Sequence, residues 1–200
     1  MQLAWHFLAA GPDGQPELRD GRQLVVGEWY EHDGPLVMCE SGYHASVLAI
    51  DALSYAPGQW VSLVEIDGTV EYGTNKLVAT RRRALWCYDA TEVLRLFARQ
   101  CALDVAHLWA MPDIVRQYLE TGDASLLGAV WASARFASRD AASDAASESA
   151  RDSAWAATWV NALEAARDAA RAVAWAVASD SQNATLESML LGCAPAGEED

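Results

Sequence analysis

The residue types best suited to chemistry are concentrated in one short segment, Cys39-Glu-Ser-Gly-Tyr-His44. The segment lies between a predicted strand and a predicted helix, where binding and catalytic residues are often found. One interpretation is a ligand pocket that uses Tyr43 and His44. The other is a turn in which Gly42 supplies backbone freedom and the aromatic rings pack. A nucleophilic Cys39 with His44 as its base is a further hypothesis, although the sequence shows no oxyanion site or orienting partner for it.

The three consecutive arginines Arg81, Arg82 and Arg83 form the only basic run of the chain. Side chains alternate between the two faces of a strand, so one of these arginines would point inward. An inward arginine favours an internal ion pair or a bound anion. The alternative is a solvated strand end. Glycine-rich phosphate-binding loops are absent from the sequence.

The remaining histidines are isolated from one another in the sequence. His6 lies between two aromatic residues in a predicted strand, an arrangement typical of a core residue. We expect His32 to be solvated in a turn and His107 to be structural on a helix. No histidine and carboxylate pair has the spacing of metal ligands, so we expect no metal site.

The net charge of the chain limits the kinds of molecule that it is expected to bind. The 200 residues include 28 Asp+Glu and 14 Lys+Arg, which gives a net charge of −14. Nonspecific nucleic-acid binding depends on basic residues that displace phosphate counterions, so direct nucleic-acid binding is not expected. The charge permits a basic partner, including a nucleic-acid-binding protein, and it also favours simple solubility.

Several other sequence features predict a soluble protein in a reducing, cytoplasmic setting. The four cysteines form no close pair, so neither a disulfide framework nor a zinc ribbon is expected. The N-terminus lacks the basic and apolar regions of a signal peptide. No uncharged apolar run reaches the roughly 18 residues of a membrane span.

Local patterns predict strands and then helices. The predicted strands are 3–8, 23–26, 28–30, 60–66, 76–80 and 84–88. A helix is predicted over 46–55, ending before Pro57-Gly58, and Asp67-Gly68 is predicted to be a turn. A second helix begins near Asp89–Thr91. A third is predicted over Asp113–Glu120, with Gly122 as its C-terminal cap.

The C-terminal half carries a long series of small residues. From Ala134 to Ala178 every fourth residue is small. A period of four drifts by about 40° per repeat around a straight helix, so one long helix could not keep this stripe on one face. We expect two or three packed helices with tryptophans between them, and a long helix paired with another chain is the alternative. Such helices also offer a surface for homo-oligomer formation.

These observations predict an α+β fold. A small β-rich domain with one or two short helices covers 1–88, an all-helical Ala-rich module covers 89–192, and a flexible acidic tail covers 193–200.

Three segments together resemble a phage-encoded domain family of unknown function. They are Cys39-Glu-Ser-Gly-Tyr-His-Ala45, Ile50-Asp-Ala-Leu-Ser-Tyr-Ala56 and Leu63-Val-Glu-Ile-Asp-Gly68. The family pattern reads Cys-x-x-Gly-aromatic-His-Ala, then a short helix ending in Tyr, then a Val-Glu-x-x-Gly strand. The resemblance covers roughly residues 20–85, and the Ala/Trp-rich helices resemble tails of bacterial and phage proteins. It implies a phage or prophage origin and no particular activity.

A fainter resemblance is to ADP-ribosyltransferases of the poly-ADP-ribose polymerase type. It rests on Trp5-His6 in an early strand, Gly42-Tyr43-His44-Ala45, Ser54-Tyr55 at a helix end and Val64–Gly68 in a later strand. The resemblance implies an NAD pocket and places Asn75 where the family has its catalytic glutamate. That carboxylate orients the ribose and supports the developing cation. A pocket without it could still bind a nucleotide.

We therefore expect a phage accessory protein that acts by binding a host protein or a nucleotide ligand, one form being an inhibitor of a host defence system. One alternative is an NAD-dependent ADP-ribosyltransferase-like enzyme, with Glu65 or Glu71 as the carboxylate, although the absence of a glutamate at the expected position favours a non-enzyme. The other is a virion or scaffold component that oligomerises through the C-terminal helices. No cofactor is required, although NAD or another nucleotide would fit the first two hypotheses. The candidate ligand-binding residues are His6, Tyr43, His44, Tyr55, Asn75 and Arg82.

Overall fold

The structure, a computed structural model, describes residues 1–108, 111–130, 133 and 179–195. These residues form two compact units, 1–90 with 186–195, and the described residues between 91 and 185. The elements are β1 (Gln2–Ala10), β2 (Pro16–Glu17), β3 (Trp29–Glu31), β4 (Tyr43–Ala45), α1 (Ala49–Ser54), β5 (Trp60–Tyr72), β6 (Leu77–Asp89), α2 (Thr91–Asp104), α3 (Asp113–Thr121) and α4 (Ser179–Gly192).

The first unit is built on an antiparallel sheet with the strand order β2-β1-β5-β6-β3, and β4 also pairs with β6. β5 and β6 are 13 residues each and pair along almost their whole length. Register shifts interrupt this pairing between Leu63 and Val64 and between Asp67 and Val70. Because such bulges bend a strand and increase its twist, the long hairpin curls and the sheet forms a half-barrel.

One face of the curled sheet carries two apolar clusters. Ala4, Val64 and Ala84 are aligned across β1, β5 and β6, and all three are almost fully buried. Ile66 extends the same cluster, and Leu8 belongs to a second cluster beside it. Along β1, alternation places His6 on this same face, between Ala4 and Leu8. A titratable side chain therefore lies among apolar ones.

The end of α4 packs against the sheet. Glu187 Oε1 accepts hydrogen bonds from Trp5 Nε1 at 3.0 Å and from the backbone N–H of Ala49, the first residue of α1, at 3.3 Å. The Tyr88 hydroxyl donates to the carbonyl of Leu190 at 2.7 Å. The C-terminal segment thus ties the first strand to the N-terminus of α1.

The second unit is helical within its described residues. Arg99 Nη1 of α2 donates to the carbonyl of Leu119 in α3 at 3.3 Å. α3 ends at Gly122, which has φ 72° and donates its N–H to the carbonyl of Tyr118. The predicted starts of α2 and α3 and the Gly122 cap are confirmed. In the described ranges, no helix is long and apolar enough to cross a membrane.

The predicted fold class is wrong. The sequence led us to expect a small β-rich domain followed by an all-helical Ala-rich module. The structure instead has one large curled half-barrel sheet with helices after it, and the end of α4 packs on that sheet. The Ala-rich series 134–178 lies outside the described residues. The domain boundaries proposed from the sequence stay predictions.

The predicted strand 23–26 is not a strand of the sheet, and Gln23 forms only an isolated bridge with Glu17. Two expectations about the β5–β6 hairpin also fail, for one physical reason. Asp67-Gly68 is not a hairpin turn, because β5 continues through a bulge to Tyr72. The segments 76–80 and 84–88 belong to one strand, β6, which includes the three arginines. Gly68 has φ 75° and absorbs the irregularity that the sequence pattern assigned to a turn.

Candidate functional site

A cavity of about 870 Å³ opens in the first unit. Residues from β1, β4, α1 and β6 line it, together with the loop that precedes β4. The cavity is within the size range of small-molecule sites. Most of the candidate residues chosen from the sequence line it, namely His6, Tyr43, His44, Tyr55 and Arg82.

Asn75 does not line the cavity but contacts a residue that does. Its Oδ1 accepts a hydrogen bond of 2.7 Å from the Tyr55 hydroxyl. The structure therefore brings the candidate set to one place, although the role of each residue in ligand binding stays a prediction.

The three arginines of β6 divide between the two faces of the sheet, as alternation predicted. Arg82 is buried, at 5% exposure, and lines the cavity. Arg81 forms ion pairs of 2.9 Å with Glu31 and with Asp67. The outward arginine is thus matched by carboxylates.

Arg83 is paired in the same way on the outer face. It forms an ion pair with Glu65, its partner in the β5–β6 register. The guanidinium groups of Arg81 and Arg83 also lie over the Trp29 ring, 4.7 and 4.8 Å from its centroid. Around these two arginines, the outer face carries a network of cations, carboxylates and one aromatic ring.

Arg82 has different partners. Its Nη1 donates to the carbonyl oxygen of His44 at 2.6 Å, and its guanidinium lies 5.3 Å from the centroid of the Tyr43 ring. Within the described part of the chain, no carboxylate forms an ion pair with it. Burial lowers the pKa of Arg82 to about 10, and Tyr43 and Tyr30 act in the opposite direction. The guanidinium remains charged at neutral pH.

Two of the imidazoles that line the cavity, those of His6 and His44, have lowered pKa values and are neutral at pH 7. Burial lowers the pKa of His6 well below 6.5, and the charge of Arg82 adds to this effect. Burial also lowers the pKa of His44, a hydrogen bond with Gly42 opposes it, and the charges of Lys76, Arg82 and Arg19 lower it further. The charges that act on His44 are all cationic.

A second cationic group lies around Cys39. The Lys76 ammonium contacts Cys39 Sγ at 2.7 Å and lies 4.2 Å from the centroid of the Tyr55 ring. Cys39 adopts φ 72°, unusual for a residue other than glycine, and its N–H donates to His44 Nε2 at 2.8 Å. Arg19 Nη1 donates to the Cys39 carbonyl at 3.3 Å. The loop before β4 is therefore fixed by contacts with basic side chains and with His44.

The carboxylates of the cavity lie in more exposed positions than Arg82. Asp20 is exposed and is bound by Arg22 at 2.7 Å, and Glu40 is exposed. Glu17 is half-buried. Among the described residues, no three His, Cys, Asp or Glu side chains are grouped so that they could hold a metal ion. Arg82 is thus the buried charge of the cavity lining.

Several residues of this cavity were not predicted from the sequence. His32 was expected to be solvated, yet it lines the cavity and its Nε2 lies 2.9 Å from Ser41 Oγ. Lys76 and Arg19 were not singled out. Lys76 carried a usable signal, because it is the only lysine of the chain. Arg19 carried none, because its contact with Cys39 depends on how the loops fold together.

Comparison with known proteins identifies one region of the chain. A domain of unknown function, DUF7666, is found at residues 15–96. It includes β2 to β6 and the start of α2, and therefore most of the cavity lining, but not His6. No curated protein and no solved structure matches the chain significantly.

Proposed function

We propose that the cavity of the DUF7666 domain binds a nucleotide-type ligand, in which a flat ring is joined to an anionic group. The observation that carries this proposal is the convergence of aromatic and basic side chains from separate elements on one cavity. The rings of Tyr43 and Tyr55 each lie beside a cation, Arg82 and Lys76 respectively. Aromatic rings stack on nucleobases, and basic groups bind phosphates.

In this proposal the protein is a phage accessory protein of the host cytoplasm that acts by binding. The nucleotide is either its cargo or a signal that controls binding to a host protein. An inhibitor of a host defence system that works through nucleotides is one concrete form. The net charge of −14 supports a basic host partner for the outer surface.

Calorimetry on the full chain tests nucleotide binding. We expect AMP, ADP, ATP or NAD to bind, and Tyr55→Ala to weaken that binding by roughly 5- to 50-fold through loss of a ring contact. Tyr72→Ala is the matched control, because Tyr72 is an exposed tyrosine outside the cavity lining. Absence of binding to all four nucleotides would falsify the proposal. Equal losses in the two variants would also count against the cavity as the site.

An NAD-dependent ADP-ribosyltransferase is the second candidate. The observation in its favour is that His6, Tyr43 and Tyr55 line one cavity. Against it, the structure places neither proposed carboxylate there. Glu65 is paired with Arg83, and Glu71 is exposed and does not line the cavity.

Labelled NAD distinguishes the two candidates. Incubation of the chain with labelled NAD and host lysate should transfer label and release nicotinamide if the protein is a transferase. A pure binding protein should do neither, even at concentrations at which calorimetry detects bound NAD.

A further inference from the structure

Arg82 differs from both of its neighbours in β6 in its charge balance. Arg81 and Arg83 point outward and are paired with carboxylates. Arg82 points into the cavity, is almost fully buried, and has a carbonyl oxygen and an aromatic face as its partners. One carbonyl uses only one of the five N–H donors of a guanidinium.

A buried cation without a counter-ion is costly, because the interior does not replace the hydration that the charge loses. Proteins keep such a charge where a bound anion supplies the missing partner. Within the described part of the chain, Arg82 donates to the His44 carbonyl, and its register neighbours on β3 and β5, Tyr30 and Ile66, bring no carboxylate to it. Binding of an anionic ligand beside Arg82 is therefore favourable, because the anion would offset the cost of burying this charge.

We propose that Arg82 binds a phosphate group of the ligand at the part of the cavity formed by Tyr43, His6 and β6. Its guanidinium can donate two parallel hydrogen bonds to phosphate oxygens. Phosphate fits better than a carboxylate, because the charges of Lys76 and Arg19 add to that of Arg82 at His44, and a dianion gains more from several cations than a monoanion does. The identity of the rest of the ligand rests on the function proposed above.

The test compares Arg82→Met with Arg83→Met in the full chain. Met preserves much of the length of the arginine stem and removes the charge. Arg83 is the matched control because it is the next residue of the same strand but faces outward. Inorganic phosphate and pyrophosphate should raise the melting temperature of the wild type and of R83M, but not that of R82M. AMP should bind the wild type roughly 10- to 100-fold more tightly than adenosine, and this difference should disappear in R82M.

Measurements on the wild type keep the proposal testable if R82M does not fold. Inorganic phosphate should shift the NMR signals of the His6 and His44 rings, and acetate, a monoanionic carboxylate, should shift them less. Equal affinity for AMP and adenosine, or a stronger response to acetate than to phosphate, would overturn the proposal. So would a phosphate response in folded R82M that equals the response of the wild type.

The outcomes also separate this inference from the proposed function. Phosphate binding that depends on Arg82, without binding of any nucleotide, supports the anion site and contradicts the proposal that the ligand is a nucleotide. Nucleotide binding with no preference for AMP over adenosine supports the cavity as the nucleotide site and contradicts the proposal that Arg82 binds the phosphate.

Discussion

Arg82 stays protonated in the cavity, whereas the neighbouring rings of His6 and His44 are held in their neutral form. Burial and neighbouring cations lower the pKa of His6 and of His44, so both rings are neutral at pH 7. Neutral imidazoles add no charge to the repulsion around Arg82, and His44 Nε2 already accepts the N–H of Cys39. His6 and His44 are thus uncharged in the cavity, whereas Arg82 is its buried cation.

The lowered histidine pKa values predict acid sensitivity. In the unfolded chain these histidines titrate near 6.5, whereas the folded protein resists their protonation. As pH falls below about 6.5 the unfolded state binds more protons, so the free energy of unfolding decreases until the folded pKa values are reached. The loss is about 1.4 kcal/mol for each unit by which a pKa is lowered. Melting temperatures between pH 7.5 and 5.5 measure it.

His6→Asn should flatten this pH dependence, and His107→Asn should leave it unchanged, because His107 is exposed on the second unit. A wild-type melting temperature that stays constant or rises toward pH 5.5 would contradict the electrostatic description of the cavity. So would identical slopes in the wild type and in His6→Asn.

Strand alternation was enough to predict that one arginine of the basic run points inward. It could not define the hairpin that carries that arginine. Asp-Gly is a strong local signal for a hairpin turn, yet at Asp67-Gly68 the pairing of β5 with β6 resumes after a bulge. The stability of a long ladder outweighs the local turn preference, and only the register of the partner strand shows this.

Gly42 positions the loop that carries Cys39 beside the cavity. It has φ 102°, and a Cβ built on it would lie 2.6 Å from Val78 Cγ2 and 2.7 Å from Leu36 Cδ2. Gly42→Ala should therefore lower the free energy of unfolding by about 2–4 kcal/mol, through backbone strain and overpacking together.

Gly27→Ala is the control for backbone strain alone. Gly27 has φ 84°, with no atom within 4 Å of an added Cβ, so its cost should be about 1–2 kcal/mol. Urea unfolding followed by circular dichroism measures both variants. Equal costs would show that close packing at Gly42 contributes nothing.

Across the whole molecule, the cavity is assembled from residues that are far apart in the sequence. His6 is brought near Arg82 by the pairing of β1 with β5 and of β5 with β6, and also by the bridge from Trp5 to Ser46, directly after β4. A single sequence shows the types of these residues but not which of them come into contact. The candidate residues could be chosen by type, whereas the contacts of Lys76 and Arg19 could not be predicted. The Ala-rich series 134–178, the most regular feature of the sequence, lies outside the described residues and contributes nothing to this account of the cavity.

The central claim is that an anionic, nucleotide-type ligand occupies the cavity. The reactivity of a cysteine in the cavity lining can report on whether the ligand is bound. Cys39 is exposed and lines the cavity, and Cys193 is exposed elsewhere in the same unit. Burial raises the pKa of Cys87 and of Cys101 to about 12. These two thiols should therefore react too slowly with an alkylating reagent to disturb a measurement on Cys39 in the folded protein.

The most direct measurement is therefore the rate at which iodoacetamide alkylates Cys39, with Cys193 as the internal reference and mass spectrometry as the readout. At a nucleotide concentration about ten times the calorimetric Kd, occupancy of the cavity should slow alkylation of Cys39 about tenfold and leave Cys193 unaffected. An unchanged Cys39 rate under saturating nucleotide would show that the ligand binds elsewhere and would contradict the account.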